Sequence, residues 1–115
     1  MKAFNHINAK TLVEAKTALA GGKANLIAGG TDLIGLLKDN VLPTYPSTLI
    51  NIKTIPGLDY IKEEAGALKI GATTRLAEIA DNSTVNQKYT ALAQAASRVA
   101  TPHVRDMGTI GGNIA

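Results

Sequence analysis

Two glycine pairs carry the residue types and spacing most suited to chemistry in this chain. The first is Leu26-Ile27-Ala28-Gly29-Gly30-Thr31-Asp32-Leu33, where the pair directly follows an apolar run. The second is Thr109-Ile110-Gly111-Gly112-Asn113, almost at the last residue of the sequence. Glycine lacks the Cβ that keeps the backbone away from a bulky anion, so consecutive N–H groups beside it can converge on a phosphate. If a helix starts after the first pair, its unbonded N–H groups and partial positive charge add to that attraction without any lysine. Two such loops could grip a diphosphate from both sides. Thr31 is the better candidate for a phosphate contact, with helix capping as its structural alternative. The Asp32 carboxylate would repel a diphosphate, so it is expected to point aside, as a first-turn helix residue or toward a ribose hydroxyl or a nearby N–H.

Standard nucleotide motifs do not account for these loops. Gly30 and Gly35 have Walker A spacing, but Leu36-Leu37 stands where a lysine and a hydroxyl residue are required. The glycine fingerprint of a dinucleotide-binding Rossmann unit is also missing. His6 and His103 lack partners at metal-ligand spacing, and no Ser–His–Asp set can be assembled. His103 and Arg105 precede the second loop, where a cofactor contact, a domain contact or a plain surface role all fit. Arg75 reads as one half of a structural ion pair. No acid, base or nucleophile stands out, so no catalytic residue is assigned. If the protein is an enzyme, a cofactor carries its chemistry and this chain positions it.

The elements that must hold the loops alternate. Phe4–Ile7 reads as a strand. A helix follows, with Leu12, Ala15 and Leu19 at helical spacing, capped by Asn8 or by Thr11; with Thr11 as cap, Glu14 completes a capping box. Gly21-Gly22 ends it. Ala24–Ala28 is a strand that, Asn25 aside, is apolar enough for burial on both faces, and Thr31 caps a helix running from Asp32 to about Lys38. Thr48–Ile52 is a third strand, so a small parallel sheet with covering helices is expected. Leu58–Lys62 and Ala67–Ala72 form a hairpin around Glu63-Glu64-Ala65-Gly66. A short helix spans Thr73–Ala80, capped by Thr73 or Thr74 and ended by Asp81-Asn82-Ser83. A longer helix spans Lys88–Ala100 with Leu92, Ala95, Ala96 and Val99 on one face, and Thr101-Pro102 closes it. His103–Ala115 reads as irregular, with the second glycine pair in a turn at a strand start.

The sequence has 115 residues, enough for one modest domain, and its formal net charge is +3. The lysines are spread singly among acidic residues, and the aromatics are only Phe4, Tyr45, Tyr60 and Tyr89. A nucleic-acid surface needs a basic stripe or a stacking platform, so neither is expected. There is no cysteine, so the chain holds no disulfide or iron–sulfur cluster of its own, in keeping with a cytoplasmic setting. The longest apolar stretch, Leu26–Leu37, is too short and too polar to span a bilayer, and no signal peptide opens the chain.

Both glycine runs, the second extended as Pro102-His103-Val104-Arg105-Asp106-Met107-Gly108-Thr109-Ile110-Gly111-Gly112-Asn113-Ile114, resemble the FAD (medium) subunit of molybdenum hydroxylases. This is the family of xanthine dehydrogenase, carbon monoxide dehydrogenase and 4-hydroxybenzoyl-CoA reductase. Leu68-Lys69-Ile70-Gly71-Ala72-Thr73-Thr74 and Leu92-Ala93-Gln94-Ala95-Ala96 share the likeness, which covers essentially the whole chain. The resemblance implies an α+β fold, the N-terminal subdomain of the type-2 (vanillyl-alcohol-oxidase-like) FAD-binding fold, with residues 1–115 as an incomplete FAD-binding subdomain. It implies that Leu26–Leu33 and Thr109–Asn113 hold the FAD pyrophosphate through backbone N–H groups. It further implies a molybdopterin-binding large subunit and a [2Fe–2S] small subunit as partners. Electrons would pass between the clusters and an acceptor through FAD. The remainder of the subunit is expected beyond Ala115, so the 115 residues alone are expected to bind FAD poorly and not to be catalytic. The alternatives are a non-catalytic assembly module and a different phosphate- or nucleotide-binding domain.

Overall fold

The computed structural model describes residues 5–31, 33–34 and 46–114, which fall into two compact units, Met1–Pro56 and Gly57–Ala115. The first unit runs β1 (Asn5–Asn8), α1 (Leu12–Ala20), β2 (Ala24–Ile27) and β3 (Thr48–Asn51). The three strands form a parallel sheet in the order β1-β3-β2, with Asn5 opposite Thr48 and Ile27 opposite Asn51. The parallel sense of the sheet is the one expected from the alternating strand and helix signals. In the central β3, Leu49 and Ile50 are both buried. Successive strand residues point to opposite faces, so this strand is covered on both, and each side chain contributes about 1.5–3 kcal/mol of burial.

The edge strand β2 departs from expectation. Leu26 is 44% exposed, so the run is not buried on both faces. Its apolar character could not reveal that it would have a single strand neighbour among the described residues. Thr11, rather than Asn8, caps α1: its hydroxyl accepts the Glu14 N–H at 3.0 Å, while the Glu14 carboxylate accepts the Lys10 N–H at 3.3 Å. The helix is stopped by Gly22, whose φ of +81° is open to glycine at no steric cost. The Thr54 hydroxyl donates to the Ala9 carbonyl, and the Asn51 amide donates to Asn8 Oδ1 at 3.0 Å. These bonds fasten the ends of the two strands together.

The second unit starts with the antiparallel hairpin β4 (Ile61–Glu64) and β5 (Ala67–Ile70). Ala65 and Gly66 both have positive φ, 51° and 76°, which gives the tight two-residue turn that matches strand twist. Five short helices follow: α2 (Leu76–Asp81), α3 (Ser83–Lys88), α4 (Thr90–Ser97), α5 (Pro102–Met107) and α6 (Ile110–Ile114). Ile79, Val85, Ala93 and Ala96 form the core, and Ile61, Leu68, Ile70, Leu92 and Ile110 pack against it. Alanines at the helix contacts let backbones approach closely, which suits helices this short.

Several helix boundaries differ from the expected ones, for local reasons. Thr73 and Thr74 are buried, and neither caps α2; Arg75 occupies that position. Asn82 ends α2 and also starts α3, its Oδ1 accepting the Val85 N–H at 3.1 Å. The long helix expected from Lys88 is broken at Tyr89 (φ −131°, ψ 52°), and Ala93, not Ala95, shares the buried face with Ala96. Thr101-Pro102 does more than close a helix. Thr101 accepts the Val104 N–H at 3.2 Å and Pro102 fills the first position of α5, where its missing N–H costs nothing. The segment expected to be irregular is therefore largely helical. Among the described residues no helix is long and apolar enough to cross a membrane.

Candidate functional site

The first glycine loop leaves β2 where the sheet ladder ends. The Ile52 N–H donates to the Ile27 carbonyl at 3.1 Å, and beyond that point Ala28, Gly29 and Gly30 turn the chain away. Gly30 has φ +74°, and an added Cβ would lie 3.1 Å from Ile27 Cδ1 and 3.2 Å from Ile34 Cγ1. The backbone conformation favours glycine here, while the crowding is only against the movable ends of two isoleucine side chains. The Ile34 N–H donates to the Gly30 carbonyl at 3.1 Å, and Thr31 stands in the turn ahead of the helical Leu33. Leu33 and Ile34 are helical; Asp32 and the expected continuation to Lys38 lie outside the described residues. Thr31 is exposed. Among the described residues, no acceptor engages the backbone N–H of Ala28, Gly29, Gly30 or Thr31. A strand end with consecutive open donors and a left-handed glycine is chemically competent to receive an anion.

The second loop is built differently. Thr109–Asn113 is not a turn at a strand start: Ile110–Ile114 is a helical turn, α6, with Thr109 buried at its head. Each amide along it has an internal acceptor. Ile110 N–H donates to the Thr74 carbonyl at 3.0 Å and Gly111 N–H to the Ala72 carbonyl at 2.9 Å. Gly112 N–H reaches Thr109 Oγ1 at 3.2 Å, and Asn113 N–H reaches the Thr109 carbonyl at 2.9 Å. Glycine at 111 answers to crowding rather than to φ, because a Cβ there would sit 2.8 Å from the Ala72 carbonyl oxygen. What the loop offers outward is the exposed Gly112 and Asn113. The two loops belong to separate compact units.

The charged residues do other work. Arg75 pairs with Glu78 at 2.8 Å, the structural ion pair expected. Arg105 donates from Nη1 to the Val99 carbonyl at 2.9 Å, tying α5 back to the end of the preceding helix segment, and His103 is exposed. Lys88 lies 2.8 Å from Glu63; its hydrogen bond holds the Glu63 carboxyl below the usual carboxylate range, and Glu63 in turn raises the Lys88 ammonium. Lys69, and after it Lys62, holds Glu64 down in the same way. Among the described residues no cluster of His, Asp and Glu could hold a metal ion. The sequence reading missed that the second loop rests on the segment Ala72–Leu76. The signal was faint: Thr109 stands one residue ahead of the helical turn, where a cap belongs.

Relatives share this architecture. The chain is 37% identical over 115 residues to the 6-hydroxypseudooxynicotine dehydrogenase complex subunit alpha of Paenarthrobacter nicotinovorans, covering 98% of this chain and 38% of that protein. It is 38% identical over 117 residues to the nicotinate dehydrogenase FAD-subunit of Eubacterium barkeri, covering 99% and 39%. Among solved structures, carbon monoxide dehydrogenase from Hydrogenophaga pseudoflava, in a form lacking the Mo-pyranopterin moiety of its molybdenum cofactor, superposes with a TM-score of 0.92 at 36% identity. That match covers 98% of this chain and 39% of the other. The chain thus spans a little under two fifths of the length of these relatives. The family model described as the FAD binding domain in molybdopterin dehydrogenase matches residues 2–115, and the chain belongs to that family.

Proposed function

We propose that this chain supplies the pyrophosphate-binding elements of a flavin subunit in a molybdenum-hydroxylase-type oxidoreductase. Residues 1–115 act as one FAD-binding subdomain, cytoplasmic and not catalytic alone. Its partners are a molybdopterin-binding large subunit and a [2Fe–2S] small subunit, and FAD supplies the redox chemistry between the clusters and an acceptor. The backbone N–H groups of Ala28–Thr31, which have no acceptor among the described residues, carry this reading together with the left-handed Gly30, because consecutive open donors suit a diphosphate. Leu26 and Ile27 anchor that loop to the sheet, Asp32 and Leu33 complete it, and Thr109–Asn113 supplies the second contact. With the amides of Ile110–Asn113 satisfied internally, the second loop acts through Asn113 and the exposed backbone at Gly112.

Titration of the intact protein with FAD, ADP and riboflavin tests the reading. Saturable binding of FAD and ADP, with riboflavin much weaker, is expected from a site that reads the diphosphate. Riboflavin binding as tightly as FAD would overturn it. Gly30→Val and Gly111→Val are each expected to weaken FAD by more than about 100-fold, since one blocks the donors and the other unseats the second loop.

A further inference from the structure

The second loop's amides are held by two carbonyls, those of Ala72 and Thr74, so whatever fixes those carbonyls fixes the loop. Thr74 is completely buried. Its hydroxyl accepts the Tyr60 N–H at 3.0 Å and donates to the Tyr60 carbonyl at 3.1 Å, so both polar groups of one residue are clasped by a single side chain. On the same stretch, Thr73 N–H donates to the Leu58 carbonyl at 3.0 Å and Gly71 N–H to the Tyr60 carbonyl at 2.9 Å. Gly71 permits this approach because any Cβ there would lie 2.1 Å from the Leu58 carbonyl oxygen. The turn segment leaving the hairpin, Gly71–Thr74, is therefore fastened on one side to residues 58–60, while its Ala72 and Thr74 carbonyls receive Gly111 and Ile110. The Arg75–Thr109 bridge and the Leu76 N–H bond to Gly108 at 2.9 Å extend the same seam.

We infer that Thr74 is a positioning residue for the second glycine loop: by clasping Tyr60 it sets the carbonyls that seat Ile110 and Gly111, so the loop is formed before any cofactor arrives. The inference rests on the reading that this loop contacts FAD. Thr74 itself touches no cofactor. A valine of the same shape removes both hydroxyl bonds, so the Tyr60 N–H loses its acceptor and the Tyr60 carbonyl keeps only the Gly71 N–H, while serine keeps both bonds.

The test uses the intact protein with Thr74→Val, Thr74→Ser and, as a control elsewhere in the same core, Ile79→Val. Amide hydrogen exchange without FAD is the first readout and FAD affinity, well below the melting temperature, the second. Thr74→Val is expected to speed exchange at Ile110 and Gly111 and to weaken FAD by about tenfold. Thr74→Ser should restore both, and Ile79→Val should lower Tm without a selective effect on either. Unchanged exchange at Ile110 and Gly111 in Thr74→Val overturns the inference, as does an Ile79→Val effect of the same size and place. If Thr74→Val does not fold, Gly111→Ala disrupts the same seat from the other side, and protected amides at Ile110 and Gly111 in that variant also overturn it. Faster exchange in a protein whose wild type binds no FAD would leave Thr74 holding the loop and sink only the flavin reading.

Discussion

The two glycine loops look alike in sequence and differ in how their backbones are bonded. In the first, glycine is required for conformation, with Gly30 at φ +74°, and the amides from Ala28 to Thr31 are left open among the described residues. In the second, Gly111 is required for closeness to Ala72, and every amide from Ile110 to Asn113 is already engaged. A glycine pair therefore encodes two separate physical devices, an open donor set and a tight seat. Binding energy can come from open donors without breaking any existing bond. A seated loop contributes mainly by being in place, which lowers the ordering cost of binding.

The largest expected effect that separates the loops is in Gly30→Val against Gly111→Val. Both should lose FAD, but they should differ in the FAD-free protein. Gly111→Val forces side-chain atoms into the Ala72 carbonyl, which must move with the hairpin exit, so Tm should fall by several degrees. Gly30→Val strains one exposed turn by about 1–2 kcal/mol and pushes only on the flexible ends of Ile27 and Ile34, so its Tm should fall less. Thermal melts of the two variants decide this. Equal Tm losses would show that the loops are built alike, and the distinction drawn from their hydrogen bonds would be lost.

How much of this was legible in the sequence follows the same division between local and distant causes. Thr11 with Glu14 as one of two possible caps, the existence of the hairpin and the parallel sense of β1, β2 and β3 were readable, because local geometry or the strand–helix alternation dictates them; the hairpin turn is shorter than expected, with Glu63 and Glu64 in β4 and only Ala65-Gly66 turning. The cap at Asn82 and the Thr101-Pro102 start were also local signals, read only as endings. A residue type that ends one helix can begin the next. The helical state of Ile110–Ile114 was not readable. Two glycines disfavour a helix intrinsically, and here the turn is held by carbonyls some forty residues earlier in the chain. The exposure of Leu26 was hidden for a similar reason, since edge and centre of a sheet are properties of topology. At the candidate site, the residue runs were legible, and which of their amides were spent was not.

A smaller effect sharpens the comparison from the side chains. If the second loop contacts the cofactor outwardly, Asn113→Ala should weaken FAD by about three- to tenfold and leave Tm near wild type, because Asn113 is exposed and its backbone bond to Thr109 persists. Thr31→Ala should cost less, since the first loop binds through amides that this substitution keeps. Isothermal titration of both variants measures the difference. A larger loss for Thr31→Ala would reverse the assignment, making the first loop the one that works through side chains.

The smallest effect comes from pH, and it falls on the support of the second loop. Glu63 and Glu64 are held below the usual carboxylate range mainly by Lys88 and Lys69, and all four residues lie in the hairpin or in α3. A carboxylate with a lowered folded-state pKa stabilises above its unfolded value and loses that contribution as pH falls through the folded one. Lys88, raised by Glu63, stabilises below its ordinary value and loses that contribution only at strongly alkaline pH. Acidification through the carboxylate range should therefore lower Tm slightly, and 1 M salt should mute the change because the pairs are solvent-exposed. In Lys88→Met the acid-induced fall should shrink. FAD affinity at pH values where both carboxylates stay charged should be unchanged in that variant, since the seam at Ala72 and Thr74 is held by backbone bonds and one buried hydroxyl. A loss of FAD affinity in Lys88→Met at neutral pH would mean that the hairpin's ion pairs, and not the turn segment that leaves it, hold the second loop.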